Sequence, residues 1–150
     1  MRIPAKPPVG HVIAYEYLWL SQKDDREDGA KVYPTAIVVA REDRGPIPLA
    51  YALGISHKPP AEGERALEVP PKLKRHLGLD DGPSWIYTDQ VNVFAWPGPD
   101  IRPAEYLSSL PRAQGTCVVG ALPSDWFALV LQHLDEGYRL HLVKAVPRTA

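Results

Sequence analysis

The chain contains a single cysteine, Cys117, and no long hydrophobic run. One thiol excludes a disulfide within the chain, and its apolar neighbours predict a small buried core residue rather than a reactive thiol. The longest apolar stretches, such as residues 36–40, are far too short to span a bilayer. Residues 1–8 lack the apolar segment of a secretory signal. We therefore expect a cytoplasmic protein without membrane contact.

The chain also lacks an excess of charge of either sign. It carries 17 basic and 18 acidic side chains, a formal net charge of −1. Bulk electrostatics therefore gives no reason to expect a nucleic-acid partner, and RNA binding would need a local basic patch. His11, His76, His133 and His141 share no spacing with cysteines or carboxylates that would indicate zinc. We expect no metal and no cofactor.

Proline is the residue in excess, at 17 of 150 residues, about twice its average usage. The prolines fall mostly between short apolar runs, a pattern typical of short strands joined by tight loops. The predicted strands cover residues 10–20, 31–40, 49–57, 65–69, 84–89, 90–96 and 115–121. The continuous apolar stretch in the second of these predicts a central position, buried on both faces.

Two helices are predicted among these strands. Pro71 near its start and Gly78 as a left-handed cap indicate a short helix over residues 71–77. Apolar residues at helical spacing after Ser124, a good N-cap, predict an amphipathic C-terminal helix over about residues 124–143. We expect one mainly β (α+β) domain over residues 1–150, with a small β-barrel over about 9–121 and the helices laid across it.

The most informative motif is Ser56-His57-Lys58, which ends an apolar strand directly before Pro59 and Pro60. The two prolines remove backbone donors and fix φ, so the strand cannot continue in the middle of a sheet. A hydroxyl, an imidazole and an ammonium therefore lie together beside a rigid turn, where scaffolds often display functional groups. Each also has an ordinary interpretation, as a strand-end hydroxyl, a turn histidine bonded to backbone and a surface lysine.

Five segments succeed one another over about residues 9–103. They are Gly10-x-Val12-Ile13, Gly29 with residues 34–39, Ile55-Ser56-His57, residues 66–69 and residues 79–91. Their order resembles that of the MazF/PemK family of toxins from toxin–antitoxin systems. No single motif is specific, so the ordered set carries the resemblance.

The resemblance implies an SH3-like barrel that forms a homodimer, cleaves single-stranded RNA without a metal and is neutralised by a cognate antitoxin. A ribose 2′-hydroxyl would attack the adjacent phosphate, which needs acid–base groups and donors or positive charge on the phosphorane. The residues assigned on this basis are Ser56, His57, Lys31 and Tyr33 as catalytic, and Lys58, Asp89 and Gln90 as RNA-binding. Asp89 and Gln90 lie at a second strand end, where turn formation explains them equally well.

One position departs from the family pattern. Tyr33 stands where the family has a catalytic arginine, directly before the proline matched by Pro34. Tyrosine is uncharged at neutral pH and cannot make the two-pronged phosphate contact of a guanidinium. Lys31, two residues earlier, projects from the same face of an extended segment and offers a point charge. The acidic segment at residues 24–28, predicted to be a solvated loop, is a poor neighbour for phosphate.

Two other classes of function remain open on the sequence. A catalytically silent SH3-like barrel would act as an interaction module or inhibitor that binds a protein target. A stand-alone housekeeping domain would carry the same strand pattern without either role. The retained hydroxyl of Ser56 and the order of the motifs favour the endoribonuclease.

Overall fold

The computed structural model describes residues 1–22, 31–42 and 45–148, so the acidic segment at residues 24–28 lies outside the described residues. The strands are β1 (His11–Tyr15), β2 (Tyr33–Arg41), β3 (Leu49–Ser56), β4 (Ala66–Glu68), β5 (Trp85–Tyr87), β6 (Gln90–Ala95), β7 (Ile101–Arg102), β8 (Val118–Ala121) and β9 (Lys144–Pro147). The α-helices are α1 (Pro71–Leu77) and α2 (Ser124–Arg139), and short 3-10 turns cover Leu20–Gln22, Ala104–Tyr106 and Pro111–Ala113. The prediction of a mainly β fold with a short helix and a C-terminal helix is confirmed.

The nine described strands form one sheet. Its main path runs β4-β5-β3-β2-β1-β7, while β6 also pairs with β3, β9 with β6 and β8 with β1. The pairings are antiparallel except that of β6 with β9. Within the described part of the chain the sheet branches but does not close, so a barrel is not shown. The prediction that β2 is central is confirmed, since it lies between β1 and β3.

Alternation along the central strands sends side chains into two cores. On one face, Val12 and Val38 pack in a cluster that includes Leu77 of α1 and Val130 of α2. On the other face lies an aromatic-rich cluster whose members include Ile13, Tyr15, Tyr17, Ile37, Phe94, Trp96 and Cys117. Burying apolar area on both faces holds β2 in the middle of the sheet. Cys117 is fully buried there, as its apolar neighbours predict.

The C-terminal helix is shorter than its sequence pattern predicts. It ends at Arg139 rather than at residue 143, and His141 takes a left-handed conformation with φ of 57°. Residues 144–147 then form β9 beside β6, a strand that the sequence reading missed. Ser124 is the first helical residue and Pro123 the cap, with no side-chain capping bond. Neither α-helix in the described chain has the length and apolarity needed to cross a membrane.

The first strand is also shorter than predicted, since it ends at Tyr15 rather than at residue 20. At Leu18 the backbone forms hydrogen bonds with the side chain of Asn92 instead of with a neighbouring strand. The Leu18 N–H donates to Oδ1 of Asn92 at 2.9 Å, and Nδ2 of Asn92 donates to the Leu18 carbonyl at 2.8 Å. Asn92 is fully buried, so this reciprocal pair satisfies polar groups that would otherwise be costly.

Helix α1 covers the predicted residues and ends at Gly78, whose φ of 70° is left-handed. A Cβ atom at this position would lie 2.5 Å from Oγ of Ser108 and 2.6 Å from Cγ of Leu110. The glycine is therefore required both by its backbone conformation and by close packing against the segment that follows β7.

Gly78→Ala should lower the free energy of unfolding by about 2–4 kcal/mol, combining left-handed strain with overpacking. Gly63→Ala is a matched control, because Gly63 has φ of 87° but open space around its missing Cβ. The control should lose only the strain component, about 1–2 kcal/mol. Urea denaturation of both variants measures the difference, and equal losses would contradict the packing role of Gly78.

Candidate functional site

A cleft of about 400 Å³ opens between the start of β2 and the end of β3. Five residues proposed from the sequence line it together: Lys31, Tyr33, Ser56, His57 and Lys58. The antiparallel register explains their meeting, because pairing Thr35 with Gly54 sets Tyr33 beside Ser56 by the same offset. The opposite wall comes from α1 and the following loop, and its polar members are Lys74, Asp80 and Ser84.

The imidazole of His57 is held by two protein acceptors. Nε2 lies 2.8 Å from Oδ2 of Asp80, and Nδ1 lies 2.9 Å from the carbonyl oxygen of Pro83. A neutral ring has one N–H and can donate to only one of these acceptors, whereas an imidazolium donates to both. The side chain is 54% exposed, so the ring sits at the mouth of the cleft.

The ammonium of Lys74 anchors this wall from inside. Its side chain is only 5% exposed, and Nζ donates to Oδ1 of Asp80 at 2.7 Å and to Oγ of Ser84 at 2.8 Å. The carbonyl oxygen of Gly82 accepts the third proton. A buried ammonium is tolerated when its donors are satisfied in this way. Lys74 therefore fixes the course of the loop over residues 80–84.

Asp80 links the Lys74 ammonium to the His57 ring, with one carboxylate oxygen on each. Partial burial alone would raise the pKa of Asp80, but hydrogen bonds and charges from Lys74 and His57 outweigh it and hold the pKa below its ordinary value of 3.8. The carboxylate is 62% exposed, so water screens part of this attraction. Asp80 is ionised at neutral pH and is a poor base.

The side chains of Ser84, His57 and Asp80 follow one another as in a nucleophilic triad, but their contacts do not support that chemistry. Ser84 is 3% exposed, and its Oγ accepts a bond from Lys74. Nδ1 of His57 is closer to the Pro83 carbonyl than to Oγ of Ser84, at 2.9 against 3.2 Å. A ring nitrogen that donates to a carbonyl cannot accept the serine proton. These contacts hold the three side chains in place at the cleft and do not activate Ser84.

The β2 wall supplies charge and an aromatic surface. Nζ of Lys31 lies 5.2 Å from the centre of the Tyr33 ring, which packs edge-on against Trp19. Oγ of Ser56 accepts a bond from the backbone N–H of Lys58 at 3.2 Å. The ammonium groups of Lys31 and Lys58 form no ion pair with any described residue. Both remain available to an anion in the cleft.

Asp89 and Gln90 do not line the cleft. Oδ2 of Asp89 accepts a bond from the backbone N–H of Arg65 at 3.1 Å. Gln90 is 6% exposed, and its Oε1 accepts from the backbone N–H of Leu20 at 2.8 Å. Both side chains hold neighbouring backbone, and the structure does not bring them together with Ser56 and His57.

Sequence reasoning missed the wall formed by Lys74, Asp80 and Ser84. In the sequence, Lys72, Lys74 and Arg75 have the pattern of a solvated basic helix face, but Lys74 is buried. One local signal existed, since Lys74 lies three residues before the apolar, buried Leu77 and so on the same side of the helix. Its acceptors come from the next loop and could not be paired with it from spacing alone.

Comparisons with protein-family models, with curated proteins and with solved structures find no match to this chain. The described residues also contain no group of three or more histidine, cysteine or carboxylate side chains placed to hold a metal ion.

Lys74→Met should lower the free energy of unfolding by about 1–3 kcal/mol, because it removes three hydrogen bonds from partly buried acceptors. Lys72→Met is the control on the same helix, since Lys72 is exposed. Denaturant titration of both variants provides the measurement. If Lys74→Met were as stable as Lys72→Met, the anchoring role would be wrong.

The stability of Asp80→Asn relative to wild type should depend on pH. The folded-state pKa of Asp80 lies below its ordinary 3.8, so the carboxylate stabilises the fold above that value and the contribution disappears as pH falls through the folded-state pKa. The wild type should be the more stable protein at neutral pH, and the gap should close in acid. Thermal unfolding across pH checks this, and a gap that persists below the folded-state pKa would contradict it.

Proposed function

We propose that this protein is a growth-inhibiting toxin whose cleft cleaves single-stranded RNA, and that a cognate antitoxin neutralises it. The observation that carries the proposal is the charge of the cleft. Three lysines line it against one acid, Asp80; Lys74 is paired with that acid, whereas Lys31 and Lys58 form no ion pair with any described residue. In a chain of net charge −1, this is the local basic patch that phosphate binding needs.

The reaction is intramolecular attack within the RNA. The 2′-oxygen bonds to the adjacent phosphorus, the bond from phosphorus to the 5′-oxygen breaks, and a 2′,3′-cyclic phosphate and a 5′-hydroxyl result. The 2′-hydroxyl releases its proton to water, and the leaving 5′-oxygen takes a proton from water. Positive charge placed where the phosphorane forms is the main contribution available to the protein.

The cleft offers a substitute for the arginine that Tyr33 replaces. Lys31 lies two residues before β2 begins, and its ammonium lies over the Tyr33 ring. Lys58 and the imidazole of His57 line the same cleft. Point charges from several side chains lack the fork geometry of a guanidinium, so we expect cleavage slower than an arginine would support. Ser56 contributes a hydroxyl to the lining of the cleft.

The fold fits this proposal in outline. Strand β3 pairs through its first half with β6 and through Ile55 and Ser56 with β5, so its partner strand changes at the site. Such branching is compatible with a strongly bent SH3-like barrel. A homodimer and an antitoxin bound over the cleft complete the proposal.

Purified protein should cleave a fluorescent single-stranded RNA in the presence of a metal chelator. His57→Ala should reduce the rate by about 10²–10³-fold, the loss typical of one group that stabilises a charged transition state. Ser56→Ala should also slow cleavage. His76→Ala is the control, because His76 is exposed on α1 outside the cleft.

Induction in cells tests the alternative class. The wild type should arrest growth with fragmented RNA, and His57→Ala should permit growth. Growth arrest with intact RNA would contradict the nuclease and favour a module that binds a protein target.

A further inference from the structure

We infer that the aromatic ring of Tyr33 is a stacking subsite for one unpaired base of single-stranded RNA, beside the lysines that bind its phosphate. The inference rests on the proposed function and deepens it, because it names the form of nucleic acid that the cleft admits. Binding of an RNA that cannot be cleaved tests it separately from cleavage.

The Tyr33 ring presents a face to the cleft. The residue lines the cleft and is only partly buried. The ammonium of the exposed Lys31 lies over the ring, 5.2 Å from its centre, so this face is reached from solvent. Trp19 meets the ring at 84°, and a perpendicular contact covers at most one face. The face beneath Lys31 remains for a ligand.

Trp19 braces this ring and is itself held in place. The ring centres of Trp19 and Tyr33 are 5.2 Å apart, and Trp19 also packs at 78° against Tyr87. The missing side chain of Gly54 makes room for the indole, since a Cβ atom there would lie 2.7 Å from Cη2 of Trp19. The three rings therefore form a packed cluster whose exposed member is Tyr33.

The backbone on either side of Trp19 is fixed as well. The N–H groups of Leu18 and Leu20 donate to the side chains of Asn92 and Gln90, both of which are buried. An aromatic surface that is ordered before binding loses little entropy when a base stacks on it. These contacts give the two carboxamides a role in holding the cleft, although neither lines it.

The same cluster lies close to the two unpaired lysines of the cleft. Lys31 extends over Tyr33, and the hydroxyl of Tyr87 donates to the backbone carbonyl of Lys58. A base and its phosphate are joined through one ribose, so a ring and an ammonium this close can contact the same nucleotide. Cationic grooves with aromatic rings are typical of proteins that bind single strands. A base within a duplex has no free face, so the subsite selects unpaired RNA.

A pair of uncleavable probes tests the subsite. One is a short 2′-O-methyl oligoadenylate, in which the nucleophilic oxygen is blocked, and the other has the same backbone without bases. The wild type and Tyr33→Phe should bind the first probe about 5–100-fold more tightly, the effect expected of one stacked base. Tyr33→Leu should bind both about equally. Tyr138→Leu is the control and should match the wild type, because Tyr138 is 47% exposed on α2 outside the cleft.

Photo-cross-linking of the wild type gives a readout that needs no variant. A 2′-O-methyl oligomer carrying 5-iodouracil should cross-link to Tyr33, as mapped by mass spectrometry. A preference for bases that is unchanged in folded Tyr33→Leu, a wild type without that preference, or cross-links only at other residues would overturn the inference. Cleavage without the preference would defeat the subsite alone, whereas the preference and the cross-link without cleavage would defeat the proposed function alone.

Discussion

The buried ammonium of Lys74 is the constraint on which the site depends. A lysine with 5% of its side chain exposed must satisfy its protons within the protein, and it does so with three acceptors from residues 80–84. That requirement draws the loop back over α1. The glycine cap at Gly78 permits the reversal, because it turns the chain at the end of the helix in a left-handed conformation.

The cleft follows from where this loop lies. Lys74 holds residues 80–84 in place by hydrogen bonds. The Asp80 carboxylate and the Pro83 carbonyl then face the end of β3, and each lies within hydrogen-bond distance of one ring nitrogen of His57. The double proline ends β3 just beyond that point, so the polar cluster is displayed rather than paired in the sheet. The site is thus built on a helix, a strand end and a short bridging loop.

Residue patterns within a segment predicted those strands and helices that depend mainly on the segment itself. The apolar run of β2 indicated a central strand, and Pro71 with Gly78 bounded α1, as the structure confirms. Non-local pairing was out of reach. The strand β9 exists because β6 offers it a partner, and the reach of Asn92 to Leu18 spans 74 positions. The helical spacing of residues 140–143 indicated neither the strand β9 nor the contact of Asn92 with Leu18.

The candidate site divides in the same way. Residues beside a strand end could be proposed from the sequence, and five of them line one cleft. Asp89 and Gln90 have a similar local pattern, yet their side chains hold backbone elsewhere. Lys74 could not be distinguished from its solvated neighbours, because its burial depends on acceptors supplied by the next loop.

Identifying the ends of the RNA products tests the central claim most directly. Mass spectrometry of fragments made by the purified protein in a metal chelator should find 5′-hydroxyl ends opposite 2′,3′-cyclic phosphates or the 3′-phosphates formed from them. The 2′,3′-cyclic phosphate arises only if the ribose 2′-oxygen is the nucleophile. Fragments with 5′-phosphate and 3′-hydroxyl ends, or RNA that stays intact, would contradict the account.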